Sequence, residues 1–230
     1  MYLWLCPLFA FLLGSIPFGL LIAKAKGIDI RQHGSGNIGA TNVLRVVGKK
    51  YGIFCLILDM LKGVIPTVLA ISLIRFAQQP NGVSLPFLVP FADEPYSQVL
   101  AQSMHVFTGL MAILGHNYSP WVGFKGGKGV ATSAGVVIAL MPFAILILLV
   151  LWVLTFWITR YVSVASIVGV VALPFLTLWG SWHHGRIQDG TWNQPLFIFS
   201  IIIAILGVWK HRSNIQRLRA GTENRFERKK

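Results

Sequence analysis

Long apolar runs dominate this sequence and limit how it can fold. Only 12% of its 230 residues are charged and 55% are hydrophobic, whereas a soluble domain carries about 25% charged residues. A bilayer core requires roughly 20 residues of apolar helix, and several runs approach or exceed that length. The sequence therefore predicts an all-α, polytopic membrane protein with a single membrane domain over residues 1–230.

Seven apolar segments are predicted to span the membrane. They occupy residues 3–23, 52–75, 98–115, 128–141, 143–159, 164–180 and 195–209. The first lacks a basic n-region and a cleavage site, so it is interpreted as a retained span. Met141-Pro142 is predicted to form a tight turn between two spans, because a residue before proline avoids the α region. The proline-rich stretch 78–98 is predicted to lack regular structure.

Positive charge is distributed unevenly between the predicted loops. The net charge is +13, and all but Lys62, Arg75 and Arg186 of the 20 Lys and Arg residues lie on one predicted side of the membrane. They occur in loops 24–50, 116–128 and 160–163 and in the tail 210–230. Because Lys and Arg favour cytosolic loops, the N-terminus is predicted outside and the C-terminus in the cytosol. This asymmetry explains the charge without a nucleic-acid partner.

The first cytosolic loop contains the sequence RQHGSGNIGATNVLR, residues 31–45. Glycines let successive N–H groups turn toward one point, and a helix start there adds the positive end of its dipole. We predict an anion site in which Arg45 makes a forked contact. A flexible turn followed by a stop-transfer charge is the alternative. The other predicted site residues of this loop are Gly34, Ser35, Gly36, Asn37, Gly39, Thr41 and Asn42.

The second loop places Gly-Gly-Lys-Gly directly before a predicted span. Lys125, Gly126, Gly127 and Lys128 are predicted to contribute donors and positive charge. A Walker A motif is excluded, because Val122 stands where its first glycine must be. Cytosolic anchoring explains the lysines but not the glycines, since each glycine costs about 1 kcal/mol in a helix.

The cationic tail carries a third cluster of polar residues. His211 and Asn214 share a helical face and are predicted to point toward the site. A juxtamembrane amphipathic anchor on anionic lipid is the alternative. Ser166 follows the short 160–163 turn and adds a hydroxyl, for which capping of the span is the alternative. Asp59 and Lys62, at i and i+3 within a span, are predicted to form a structural ion pair that supports the site, and direct ligand contact is the alternative.

Three motifs, GSGNIGATNVLR, GHNYSPWVGFKGGKGVAT and HRSNIQRLRAGTE, together resemble the bacterial acyl-phosphate:glycerol-3-phosphate acyltransferases, a family of integral membrane enzymes. The resemblance runs from LLGSIPFG in the first span to Glu223, and residues 78–98 are not matched. It implies transfer of a fatty acyl group from acyl phosphate to the 1-hydroxyl of glycerol 3-phosphate, giving lysophosphatidic acid and phosphate. It also implies the first acylation step of phospholipid biosynthesis, at the cytosolic face of the bacterial inner membrane.

This chemistry leads to a hypothesis for each predicted site residue. One phosphate is cradled by Ser35, Gly36, Thr41, Asn42 and Ser166, and the catalytic set is Ser35, Arg45, Lys128, His211 and Asn214. The other phosphate and the developing oxyanion are held by Arg45, Lys128, His211 and Asn214. His211 or a substrate phosphate oxygen accepts the hydroxyl proton. The expected partners are glycerol 3-phosphate, long-chain acyl phosphate and membrane lipids, with no cofactor, no metal and no obligate protein partner.

Two other interpretations of the sequence compete with this one. His184 and Asp189 match the H-x4-D pattern of a different acyltransferase group, but their loop lies on the predicted outer side, so the match is interpreted as chance. A transporter or flippase for an organic phosphate would also need cationic loops. It should carry polar or discontinuous helices at the midplane, and only Asp59 and Lys62 approach that pattern.

Overall fold

The computed structural model describes residues 5–77 and 96–227, and all regular structure in these ranges is helical. The α-helices are α1 Leu5–Ser15, α2 Phe18–Lys24, α3 Ala40–Val46, α4 Lys49–Ala77, α5 Tyr96–Asn117, α6 Val130–Leu140, α7 Ala144–Thr159, α8 Val162–His183, α9 Gln194–Lys210 and α10 Arg212–Arg219. Short 3-10 turns cover Ile30–Gln32 and Pro120–Val122. The break predicted at Met141-Pro142 is confirmed between α6 and α7.

Several of these helices are long and apolar enough to cross a membrane. Four segments meet that description, Leu5–Lys24, Lys49–Ile74, Gln98–Val122 and Val162–His183. The bent pair α9 and α10 brings the number to as many as five among the described residues. An all-helical polytopic membrane protein is therefore confirmed, and the count of seven spans stays a prediction.

Two sequence predictions differ from the observed helix bounds. The predicted span 128–141 contains only the 11-residue helix α6, which at 1.5 Å per residue is much shorter than a bilayer core. The prediction that residues 78–98 lack regular structure was wrong for the last three residues, because α5 begins at Tyr96. Residues 78–95 lie outside the described residues.

The chain divides into two compact units, which are described separately. The first comprises residues 1–140 with 193–196, and the second comprises 141–192 with 197–230. In the first unit α1 packs on α5 and α4 packs on α6. In the second, α7 packs on α8, and Thr177 Oγ1 lies 3.0 Å from Ser200 Oγ of α9.

Glycines allow α4 and α6 to approach each other at backbone distance. A Cβ atom added to Gly63 would overlap the carbonyl oxygen of Thr132, and one added to Gly135 would overlap that of Met60. Each helix therefore presents a glycine to the backbone of the other. Close packing of small residues is how helices associate in lipid, where hydrophobic burial supplies little driving force.

Replacing Gly135 by Ala should destabilise this contact, because the added methyl group has no space. We expect a loss of about 1–3 kcal/mol in the free energy of unfolding, measured as a lower thermal midpoint in detergent. Gly169→Ala in α8 is the matched control, since a Cβ atom there meets nothing within 4 Å and replaces a poor helix former. Equal midpoints for the two variants would contradict the proposed close contact.

The first span is interrupted between α1 and α2, and side chains from elsewhere in the first unit bind the carbonyl groups at the break. Ser119 Oγ donates to the carbonyl of Ser15 at 2.6 Å, and Lys62 Nζ donates to that of Ile16 at 3.0 Å. Backbone groups inside a membrane protein must be satisfied internally. The break is therefore held by α4 and by the segment that follows α5.

Candidate functional site

The first glycine-rich loop is folded around the side chain of Asn42. Asn42 is 2% exposed, and its Oδ1 accepts a hydrogen bond from the backbone N–H of Ser35 at 2.9 Å. Its Nδ2 donates to the carbonyls of Ile30, His33 and Asn37 at 3.3, 3.0 and 2.9 Å. The amide of Asn42 therefore supports the loop from within, a role that differs from the ligand contact the sequence suggested.

Two glycines give this loop its path around Asn42. Gly34 and Gly36 have φ angles of +61° and +68°, a left-handed conformation that favours glycine. A Cβ atom on Gly34 would also overlap Asn42 Oδ1. Asn37 Oδ1 accepts the N–H of Gly39 at 2.8 Å. The loop is thus a built structure rather than a flexible turn.

Helix α3 follows this loop and carries two more of the predicted residues. Gly39 is its N-cap, and Thr41, in the first turn, is half-buried. Arg45 lies in its last turn and is exposed, while Ser35 in the loop is half-buried. A hydroxyl, a guanidinium group and backbone donors therefore occur within one short loop–helix segment, a combination suited to an anion.

The second glycine-rich loop is packed against the end of α5. Gly127 N–H donates to the carbonyl of His116 at 3.1 Å, and a Cβ atom on Gly127 would overlap the His116 ring. Gly126 faces the carbonyl oxygen of the same histidine. Lys128 is half-buried between the buried Gly127 and Gly129, directly before α6. Its ammonium group is thus carried on a closely packed backbone.

The sequence did not identify His116 as part of this site. It is 5% exposed, and its Nδ1 lies 3.7 Å from Asp59 Oδ1. The predicted ion pair between Asp59 and Lys62 is confirmed, with a distance of 2.9 Å between Oδ1 and Nζ and 2% exposure of each residue. The GHNYSP motif was the only sequence signal for the histidine, and nothing in its spacing connected it to the ion pair.

In the second unit, Glu223 organises the polar tail. Its Oε1 accepts hydrogen bonds from Asn214 Nδ2 at 2.6 Å and Ser163 Oγ at 2.9 Å. Its Oε2 accepts from Arg217 Nε at 2.8 Å. Glu223 was not among the predicted site residues, although it is one of only two acidic residues in the cationic tail, which was the available signal.

His211 lies at the junction between α9 and α10, where the chain bends by 51°. It is 2% exposed, and its Nδ1 is 2.8 Å from the carbonyl oxygen of Gly207. A carbonyl oxygen can only accept, so Nδ1 carries a proton. Ser166 is also buried, and its Oγ accepts from Trp152 Nε1 at 3.4 Å.

The predicted site residues therefore form local groups. Ser35, Thr41 and Arg45 share one segment of the first unit, and Lys128 lies in another segment of that unit. The residues from the second unit are Ser166, His211 and Asn214. In the H-x4-D segment, Asp189 Oδ1 accepts hydrogen bonds from the backbone N–H and the hydroxyl of Thr191 at 2.9 and 2.6 Å.

The hydrogen bonds to Glu223 should make the stability of the tail depend on pH. Partial burial raises the pKa of Glu223, but hydrogen bonds from Asn214, Arg217 and Ser163 outweigh it and lower the pKa below its ordinary value. A lowered pKa in the folded state contributes stability above the unfolded pKa of about 4.3. That contribution is lost as the pH falls through the folded value.

Glu223→Gln should reduce the free energy of unfolding at pH 7 by roughly 1–3 kcal/mol, because partly buried donors lose a charged acceptor. The loss should appear as a lower thermal midpoint. The midpoint of this variant should also depend less on pH than that of the wild type between about pH 5 and 2, because this is the range in which the unfolded carboxyl becomes protonated before the folded one. Exposed Glu227 provides the control, and Glu227→Gln should behave as the wild type. Identical pH profiles for Glu223→Gln and the wild type would contradict the network.

The fold and these loops together define a polytopic helical membrane protein equipped to bind anionic groups. Comparison with known proteins identifies the kind of protein: a family model described as glycerol-3-phosphate acyltransferase matches residues 4–221. The chain belongs to this glycerol-3-phosphate acyltransferase family. The family predicted from the three motifs is thus confirmed.

Individual relatives agree with the family model over nearly the full length of the chain. The glycerol-3-phosphate acyltransferase of Geotalea daltonii is 47% identical, covering 95% of both proteins, and that of Aquifex aeolicus is 43% identical, covering 95% of this chain and 96% of the relative. The crystal structure of PlsY (YgiH), an integral membrane glycerol 3-phosphate acyltransferase, in its glycerol 3-phosphate form has a TM-score of 0.80 at 37% identity. The structural match covers 99% of this chain and 96% of the PlsY chain. The lysophosphatidic acid form has a TM-score of 0.78.

Proposed function

We propose that this chain transfers a fatty acyl group from acyl phosphate to the 1-hydroxyl of glycerol 3-phosphate. The family supports the acceptor, and the related PlsY structures in glycerol 3-phosphate and lysophosphatidic acid forms support the acceptor and the product. The three motifs support acyl phosphate as the donor. The observation that carries the proposal is the pair of built, glycine-rich loops adjoining Arg45 and Lys128.

The proposed reaction needs positioned charge more than a strong acid. The 1-hydroxyl oxygen attacks the acyl carbonyl carbon, the bond from that carbon to the phosphate oxygen breaks, and phosphate leaves. The hydroxyl proton goes to a substrate phosphate oxygen or to His211 Nε2, the ring nitrogen that does not face Gly207 and that accepts a proton when the ring is neutral. Lys128 and Arg45 stabilise the developing oxyanion and the phosphate groups, which is where such sites gain most of their rate.

A membrane orientation follows from the same proposal. We place α1 with α2, and then α4 through α9, in seven spans, with the N-terminus outside and both glycine-rich loops at the cytosolic face of the bacterial cytoplasmic membrane. The distribution of Lys and Arg supports this orientation. Single cysteines at exposed Gln32 and Lys125 should react with an impermeant maleimide only after cells are opened. Labelling of either one in intact cells would contradict the orientation.

The activity itself can be tested with the purified protein in detergent. Phosphate release should require both palmitoyl phosphate and glycerol 3-phosphate and should be accompanied by lysophosphatidic acid. Palmitoyl-CoA should not replace palmitoyl phosphate as the donor. The transporter alternative makes the opposite prediction, namely uptake of labelled glycerol 3-phosphate into vesicles without product.

A further inference from the structure

One buried histidine touches both the ion pair of α4 and the loop that carries Lys128. The Nδ1 side of the His116 ring faces Asp59 Oδ1 at 3.7 Å. The other ring nitrogen, Nε2, is the atom closest to where a Cβ atom of Gly127 would stand. The ring therefore fills the space between a fixed charge in α4 and the backbone of the second glycine-rich loop.

The main chain of His116 holds the same loop. Its carbonyl oxygen accepts the N–H of Gly127 at 3.1 Å, and the same oxygen would be overlapped by a Cβ atom on Gly126. Gly127 does not have a positive φ angle, so its conformation alone does not require glycine. The contact with the ring explains why the residue before Lys128 has no side chain.

The ion pair behind the histidine is anchored to a third element. Lys62 Nζ bonds Asp59 at 2.9 Å and the carbonyl of Ile16 at 3.0 Å. Ile16 lies in the break of the first span, and the hydroxyl of Ser119 reaches the adjacent carbonyl of Ser15. Charged groups buried in this way resist displacement, because moving either one would leave its partner uncompensated.

We infer that His116 is a positioning residue, which transmits the fixed position of the Asp59–Lys62 pair to Gly127 and thereby places the ammonium group of Lys128. The role of Lys128 in this inference rests on the proposed function. The contact of His116 with Asp59 and Gly127 does not depend on that function. A displacement of about 1 Å at a reacting group can cost a factor of 100 in rate. A ring held from both sides limits such displacement.

His116→Asn tests this inference, because asparagine retains a polar group near the Nδ1 position and removes the ring edge that meets Gly127. We expect kcat to fall about tenfold or more, while KM for glycerol 3-phosphate changes less than about threefold. Hydrogen exchange at residues 126–130 should accelerate, and the thermal midpoint should change little. His116→Gln, which reaches toward the Nε2 position, should recover part of kcat.

His105→Asn is the matched control, since His105 lies on the same helix about three turns earlier. It should leave kcat and loop exchange unchanged. Wild-type kcat and wild-type exchange in His116→Asn would overturn the inference. A loss of kcat without faster loop exchange would also overturn it, as would an equal loss of kcat in His105→Asn. If His116→Asn fails to fold, a second pair of variants tests the same contact. Gly127→Ala should be less stable than the double variant Gly127→Ala with His116→Ala, because removing the ring makes room for the added methyl group. The reverse order of stability would overturn the inference.

These outcomes are separable from failure of the proposed function. A wild-type protein that is inactive with palmitoyl phosphate and glycerol 3-phosphate would disprove the proposed reaction. The exchange rates of residues 126–130 would still report whether His116 holds the loop, since that readout requires no turnover.

Discussion

Lys128→Ala should remove nearly all turnover while the protein remains folded in detergent. The lysine is half-buried between two buried glycines, so the backbone that carries its ammonium group is fixed by packing. Loss of one donor to a developing oxyanion costs roughly 100- to 1,000-fold in kcat, and loss of a full charge should cost at least as much. Steady-state kinetics with palmitoyl phosphate and glycerol 3-phosphate measure the effect.

The same experiment applies to the first loop. Ser35→Ala and Arg45→Ala should each abolish most turnover, and Arg45→Lys should also fail if the guanidinium makes a forked contact that an ammonium cannot. Lys50→Ala is the control, because Lys50 is an exposed cation at the start of α4 that lies outside both glycine-rich segments. Wild-type rates for the Ser35, Arg45 and Lys128 variants together would defeat the site assignment.

Local patterns in the sequence were sufficient to locate the loops but not their internal supports. Gly34 and Gly36 could be predicted, because a left-handed backbone strongly favours glycine. The role of Asn42 could not, since its partners lie 5 to 12 residues away and depend on how the loop closes. A polar residue in a predicted phosphate loop looks the same in sequence whether it binds a ligand or the loop itself.

Contacts between distant segments could not be predicted from the sequence for a related reason. Ser163 and Glu223 are separated by 60 positions, and His116 meets Asp59 only because α4 and α5 pack together. The pair Asp59 and Lys62 was predictable, because two charges one helical turn apart in an apolar span must neutralise each other. The start of α6 was predicted two residues too early, because Gly129 has a φ of +79° and the helix begins only at Val130.

Lys62→Met should destabilise the protein more than any other substitution considered. It removes the cation beside a buried carboxylate, and it leaves the Ile16 carbonyl in the broken first span without its donor. Breaking a buried ion pair by removing one partner costs about 3–5 kcal/mol. We expect a correspondingly lower thermal midpoint in detergent, whereas Lys49→Met, at the exposed first turn of α4, should have little effect.

The double variant Asp59→Leu with Lys62→Met separates charge compensation from the other roles of the pair. Because replacing both members of a buried pair by apolar side chains is often neutral or stabilising, the double variant should regain much of the midpoint lost by Lys62→Met. It should not regain all of it, because the Ile16 carbonyl still lacks a donor and an unsatisfied buried polar group costs about 1–3 kcal/mol. A double variant no more stable than Lys62→Met would show that the lysine stabilises the break in the first span and not the charge of Asp59.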